Sequence, residues 1–450
     1  MKKRRPTNVA HQAFTEVESL PPFKEIEHGQ LFALSLSNNT TKLTHGLHRF
    51  PAKFMPQVPA WALDNFGGPD TTVLDPFMGS GTTLVEGLIR GGTNIGLDID
   101  PLARFIARAK TTRADADRIR ELGVELAARW TRPARALHTP MAGIENFDHW
   151  FSRRQWAWVQ SLHEHILDLD CNDEERVFLL TVFSSTLRWV SNADDQTQKT
   201  YVSGTLVKAP PAVTDTFWRL FTRAVTGLSE LNRKRPKVAT VLIPENGDAT
   251  AIPLGARSVG LAIASPPYLD SVDYMYNMML EYFWLGPRLG VPDRETFNRM
   301  RREHIGAKNP AEHLDLPECL DGLIRLNRMP QARRAAAASY FALMESHFHE
   351  VARCLVAGAK YVFVVGNSQS RTSVIPLHDA LVRQAANAGL MLERGFGYRV
   401  RRHYMKFPRN GRGGIILIDW VLVFQKRRTA QENRPLPLPW VTLAPKAVAH

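Results

Sequence analysis

The segment Ser265-Pro266-Pro267-Tyr268 gathers a hydroxyl, carbonyls in a backbone stiffened by two prolines, and an aromatic ring within four residues. An amine whose lone pair is delocalised into a ring is a poor nucleophile, and it needs acceptors that draw its protons and hold it in line. The Ser265 hydroxyl and the Pro266 carbonyl can be those acceptors, because Pro266 and Pro267 restrict the backbone and bring no N–H of their own. Tyr268 adds a face on which a base can stack, worth about 1–3 kcal/mol per base in single-stranded sites. A rigid loop turn would use the same residues, so this string needs a partner.

The partner is Asp75-Pro76-Phe77-Met78-Gly79-Ser80-Gly81-Thr82, far upstream. Gly79 and Gly81 let the backbone turn tightly and come close to a ligand, and the helix that follows offers unpaired N–H groups at the positive end of its dipole. No Lys of a phosphate-binding loop is present. Asp75 would repel a pyrophosphate but could hold an ammonium group, directly or through water. After the next apolar run, Asn94-Ile95-Gly96-Leu97, stands Asp98, placed to accept from ribose hydroxyls, with Ile99 beside it. Two other readings stay open: Asp98 could cap a helix starting near Pro101, and Asp100 is the rival ribose ligand. A nucleoside carrying a zwitterionic amino-acid moiety fits this string better than a dinucleotide.

Both strings must be held by strands. Apolar runs at 72–75, 94–98, 259–264 and 360–366, each followed by helix-like or loop segments, indicate an α/β sheet wound by right-handed crossovers. In an open parallel sheet ligands sit at the carboxyl ends of the strands, where both strings fall. The stretch 111–235 breaks the rhythm with amphipathic helical spacings, such as Trp156-Val159-Leu162-Ile166, and reads as a helical insertion. Residues 1–30 read as a flexible N-terminal arm and 426–450 as a flexible tail. Between them lie 31–110, the cofactor-binding half, and 236–425, the second half of one catalytic domain. Leu390–Arg394 and Asp419–Phe424 look like two strands around a basic loop.

Together the two strings resemble motifs I and IV of the S-adenosylmethionine-dependent DNA methyltransferases that methylate exocyclic amines, in the variant with Ser-Pro-Pro-Tyr. The resemblance covers about 44–110 and 245–285 well and 335–425 more loosely. It implies a Rossmann-like class I methyltransferase sheet, here with a large helical insertion. It also implies that S-adenosylmethionine is the cofactor, held by Asp75, Pro76, Phe77, Gly79, Gly81, Thr82, Asp98 and Ile99. In that family an upstream segment closes over the cofactor, and Thr44–Pro56 is similar to it, adding Phe50, Pro51, Ala52 and Lys53. Gly247-Asp248-Ala249 resembles the strand-three motif, whose Asp meets the adenine amine, adding Asp248 and Ala249. Ser265, Pro266, Pro267 and Tyr268 become the catalytic set. The residues that follow, Leu269–Asn277, could close the base pocket with Asp273 and Tyr274 nearest the substrate, and a plain loop entering a helix explains them equally well. The Ser-Pro-Pro-Tyr form is usually associated with cytosine N4, so the expected activity is DNA (cytosine-N4) methylation of a flipped base. Adenine N6 methylation, RNA amine methylation and a non-catalytic DNA-binding protein with a relict pocket are the alternatives. Two regions compete for target recognition, the insertion and 269–335.

Composition agrees with a polyanionic partner, expected here to be double-stranded DNA: the 450 residues carry 57 Lys and Arg against 44 Asp and Glu, a formal charge of +13. A cognate restriction or defence partner would suit such an enzyme. Cys171, Cys319 and Cys354 lie far apart without metal-ligand or disulfide spacing, and a reducing, cytoplasmic setting is expected. No run approaches the length of a membrane span. His163-Glu164-His165 and His347-Phe348-His349-Glu350 lack the spacing that puts two ligands on one helix face, so no metal is expected. Basic clusters at Arg299-Arg301-Arg302, Arg401-Arg402-His403-Lys406 and Arg409-Arg412 could meet phosphates, and the polar stretch Trp189–Lys199 could read base edges; solvated surface explains each as well.

Overall fold

The computed structural model describes residues 14–34, 41–195, 197, 199–205, 207–269, 273–366, 376–400 and 418–428. The chain opens with β1 (Thr15–Val17), β2 (Leu31–Leu34), α1 (Gln57–Phe66), β3 (Thr72–Asp75), α2 (Thr82–Leu88), β4 (Thr93–Gly96) and α3 (Pro101–Thr111). The insertion supplies α4 (Ala116–Arg129), α5 (Phe147–Trp150), α6 (Arg153–Leu167), α7 (Asp173–Val190) and α8 (Val213–Lys234). Then come β5 (Thr240–Leu242), β6 (Val259–Ala264), α9 (Tyr274–Asn277), α10 (Met279–Leu285), α11 (Arg294–Glu303), α12 (Gln331–Cys354), β7 (Leu355–Gly366), α13 (Leu377–Asn387), β8 (Leu390–Val400) and β9 (Asp419–Lys426).

The strands form one sheet in the order β1-β2-β8-β9-β7-β6-β3-β4-β5. All neighbours are parallel except β9, which runs antiparallel to β7 and β8. From β3 the chain steps outward through β4 to β5, then returns to β6 on the other side of β3 and steps outward the opposite way. The order therefore reverses between β3 and β6, which is where such sheets open a ligand crevice at their carboxyl edge. This is the Rossmann-like sheet of the methyltransferase type, with β1 and β2 added at one edge.

Period-two alternation splits the strands between two cores. Leu261 and Ile263 of β6 pack with α1 residues Val58, Trp61 and Ala62, while Ala262 and Ala264 face α12 and α13 through Phe341, Phe348 and Leu381. The helices of the insertion do not build a core of their own. Ile119, Leu162, Phe178, Phe183 and Phe217 share one buried cluster with Phe105 and Ile106 of α3 and with Tyr282, Phe283 and Trp284 of α10.

Residues 14–30, expected in a flexible arm, are instead fixed to the sheet. Phe23 and Ile26 are buried against Trp61 and Phe396, and Arg394 donates to the Phe23 and Ile26 carbonyls at 2.5 and 2.7 Å while stacking over the Phe23 ring. Two buried apolar side chains and one half-buried arginine suffice to anchor a segment that shows no periodicity. The basic residues 401–412 and most of the expected tail lie outside the described residues.

Candidate active site at the edge of β3 and β6

β3 and β6 are hydrogen-bonded neighbours, with Val73 opposite Leu261 and Leu74 opposite Ala262. The two strings that follow them therefore leave the same edge of the sheet side by side. Asp75 ends β3 and is buried; its Oδ1 accepts from the Phe77 N–H at 3.0 Å, and burial pushes its carboxyl up to about 7. Pro76 and Phe77 carry the chain into the turn, where the N–H of Met78 donates to the Leu97 carbonyl and that of Leu97 to the Asp75 carbonyl. Gly79 and Gly81 have φ of +49° and +78°, and Gly81 caps α2, whose first residue is the buried Thr82. A Cβ on Gly79 would lie 3.1 Å from the Phe50 ring, and one on Gly81 3.0 Å from Ala107. The turn is thus closed to side chains on both glycines, as a backbone shaped around a ligand requires.

Asp98 and Asp100, the two candidate ribose ligands, differ in their partners. Asp100 is the N-cap of α3: its Oδ1 accepts from the Leu102 and Ala103 N–H groups and from the Tyr282 hydroxyl at 2.6 Å. Asp98 is left beside the glycine turn, with Oδ2 accepting from the Gly79 N–H at 2.9 Å and Oδ1 from the Asp100 N–H at 2.9 Å. Burial, then the neighbouring Asp100 charge, raises its pKa. Its carboxylate has lone pairs to spare for hydroxyl donors. Arg104 donates to the Asp98 and Ile99 carbonyls, fixing the backbone there. Gly247 lies against the same backbone, its hypothetical Cβ 3.1 Å from Leu97 Cα and 3.2 Å from Asp98 N. Asp248 follows directly, its Oδ1 accepting from the N–H and hydroxyl of Thr250. Asp75 and Asp98 thus flank the glycine turn, and Gly247, which precedes Asp248, lies against the backbone that carries Asp98.

The upstream segment meets the first string and the helix that follows the second. The Phe50 ring rests on Gly79 and stacks with Tyr274 of α9, centroids 6.3 Å apart at 26°. Pro51 is buried and Ala52 holds φ +47°, an uncommon backbone for a residue with a side chain, costing about 1 kcal/mol or more. Lys53 donates to the His45 carbonyl at 2.5 Å, and burial followed by the nearby Arg223 charge lowers it to about 8.

In the second string Ser265 and Tyr268 are half-buried. The Pro267 carbonyl accepts from the Tyr340 hydroxyl at 3.3 Å, whereas the Pro266 carbonyl accepts no bond among the described residues. Asp273 caps α9 and is gripped by Arg301 at 2.5 and 3.1 Å; Arg301, read above with a phosphate-binding cluster, is occupied in holding this helix.

Sequence reasoning missed the supports. Tyr340 and His347 stand two helical turns apart on α12, a spacing that puts them on one face. His347, buried and held neutral by burial with its pKa near 4, donates from Nδ1 to the Ala249 carbonyl and accepts at Nε2 from Tyr361, while its ring lies 4.6 Å from that of Phe77. One helix therefore carries the Pro267, Ala249 and Phe77 contacts. Lys110, fully buried, donates to Ser80 Oγ at 2.7 Å and steadies the glycine turn from behind. A cavity of about 230 Å³ lined by Leu88, Arg108, Arg113, Glu174 and Val241 contains no residue of either string. Among the described residues no three His, Cys, Asp or Glu side chains are grouped to hold a metal ion, and no helix is long and apolar enough to cross a membrane.

Fold and edge together define a Rossmann-like sheet of the methyltransferase type with two strings converging at its switch point. The chain is similar to the type II methyltransferase M.MvaI of Kocuria varians, 25% identical over 380 residues that cover 78% of this chain and 83% of that protein. Among solved structures it is similar to the rRNA methyltransferase aviRa of Streptomyces viridochromogenes, at 12% identity and a TM-score of 0.29, covering 84% of this chain and 88% of that one. An S-adenosylmethionine-dependent methyltransferase of Methanosarcina mazei gives 10% identity and a TM-score of 0.27, covering 81% and 96%. At such TM-scores neither superposition bears on the reading below. No protein-family model matches the chain.

Proposed function

We propose that this protein is an S-adenosylmethionine-dependent DNA methyltransferase that modifies the exocyclic amine of a flipped base, cytosine N4 in first place. The observation that carries the reading is the adjacency of β3 and β6, which sets an acid-ringed glycine turn beside a Ser-Pro-Pro-Tyr turn, with Phe50 touching Gly79 and Tyr274. The likeness to a type II methyltransferase supports methyl transfer, and a formal charge of +13 supports a nucleic acid substrate.

S-adenosylmethionine supplies an electrophilic methyl group on a sulfonium centre. On the protein side, Asp98 would accept from ribose hydroxyls, Asp248 would meet the adenine amine, and Asp75 would face the ammonium of the aminoacyl arm. Phe50, Pro51, Ala52 and Lys53 cover the turn formed by Pro76, Phe77, Gly79, Gly81 and Thr82, with Ile99 and Ala249 as its apolar walls. Ser265 and the Pro266 carbonyl accept from the target amine and orient its lone pair, Pro267 stiffens the turn, and Tyr268 stacks on the base. As the nitrogen–methyl bond formed and the carbon–sulfur bond broke, the positive charge would pass to the amine and leave as a proton, for which the Ser265 hydroxyl and the Pro266 carbonyl would be the nearby acceptors; alignment would matter more than strong acid–base catalysis.

The test is base-resolved methylation sequencing of DNA from a host expressing the chain, beside labelled S-adenosylmethionine assays on matched duplex DNA and RNA. N4-methylcytosine at a defined sequence is the expected product. N6-methyladenine would reassign the base, and label in RNA alone would overturn DNA as substrate.

A further inference from the structure

We propose that the connection between α7 and α8 forms a rigid hairpin that reads duplex DNA beside the target base. This rests on the methyltransferase reading above. From Val190 to Val213 the chain makes a link far longer than the roughly 2–8 residues usual between packed helices, and links of that length generally serve function. Its described residues are also tied to one another. Arg188, on the last turn of α7, is buried, and its guanidinium donates to Thr200 Oγ1 at 2.8 Å and to the carbonyls of Asp194, Thr197 and Lys199 at 2.7, 2.8 and 3.0 Å. Ala193 and Val202 form an antiparallel bridge, and Tyr201 bonds Asp194 through both backbone and hydroxyl. Lys208 closes the far end by donating to the Arg188 and Ala193 carbonyls at 2.7 and 3.0 Å. A link serving only to join two helices has no need of a buried guanidinium spent on its carbonyls.

The hairpin is tied to two segments that neighbour the strings. Thr200 Oγ1 donates to the carbonyl of Asn277 on α9 at 2.7 Å, and Arg49, next to Phe50, donates to the Thr197 carbonyl at 2.5 Å. Outward it presents Lys199, Thr205 and Val207, all exposed, and beside them Trp189, with the Arg219 guanidinium 5.6 Å from its ring centre. Rigid backing, cationic and hydroxyl donors, and an exposed aromatic next to the base-holding turn are what duplex recognition needs.

The experiment uses the full chain, wild type and the double variant Lys199→Ala/Thr205→Ala, with Trp189→Ala as a second variant. Each is expressed in a host and its DNA sequenced for methylated bases, while thermal melting and S-adenosylmethionine affinity check the fold and the cofactor turn. Melting and cofactor affinity should match wild type. The extent of methylation should fall about tenfold or more, or the marked sequence should relax at flanking positions. Marking of the same sequence to the same extent by both variants overturns the proposal. A wild-type chain that leaves DNA unmarked and retains no duplex overturns the functional reading itself, and this inference with it.

Discussion

At the scale of single residues, the site is a matter of which acid does what. Asp100 caps the N-terminus of α3, and the proposed function gives the ribose to Asp98; on that reading Asp98→Ala should weaken S-adenosylmethionine binding by about 10–100-fold, in keeping with the loss of charge-assisted hydrogen bonds. Unchanged affinity in calorimetry would contradict that role. Ser265→Ala should slow single-turnover transfer about 100-fold while cofactor affinity stays within twofold. Asp75 carries a pH signature. Burial holds its carboxyl near 7, so below that pH it must shed a proton before it can face an ammonium group. Affinity should therefore rise between pH 6 and 8, with proton release visible as a buffer-dependent binding enthalpy, and Asp75→Asn should flatten both. The same shift makes Asp75 a cost to folding as pH climbs from about 4 to 7, because the folded chain keeps a proton that the unfolded chain gives up.

At the scale of elements, α12 is the support that holds three pieces of the site without belonging to either string. Tyr340→Phe removes the hydroxyl on the Pro267 carbonyl and should lower kcat about three- to tenfold, the loss of one ordinary hydrogen bond at the turn, while cofactor affinity is unchanged. A drop in affinity equal to the drop in kcat would place the effect elsewhere. The strands at 72–75 and 259–264 and both turns are legible in sequence because buried parallel strands are short apolar runs and glycine turns break them sharply. Tyr340 and His347 were not, since a helix residue's partner across a crevice leaves no mark in its own neighbourhood; the only trace is their shared face. The N-terminal segment was misread for a related reason: Phe23 and Ile26 gain their burial from Trp61 and Arg394, both remote in sequence.

For the whole molecule, the insertion and the sheet stand or fall together. Trp284 of α10 packs edge-on against Phe147, Phe151, His163 and Phe183 of the insertion, with ring centres 5.7–6.4 Å away. Trp284→Ala should cost about 3–5 kcal/mol, and denaturant unfolding followed by fluorescence and by circular dichroism should still give one coincident transition. Two separated transitions would show that the insertion folds by itself.

The pairing of β3 with β6 also sets a timetable. β3 can acquire that neighbour only after the whole insertion has been synthesised and the chain has looped back, and closing so long a loop comes before the contacts that reward it. During synthesis the glycine turn therefore exists for a long interval on a strand with one side unpaired. A nascent chain ending before Val259 holds Asp75, Asp98 and Asp248 but lacks the turn proposed to hold a base, so on that reading the ability to modify a target arrives late.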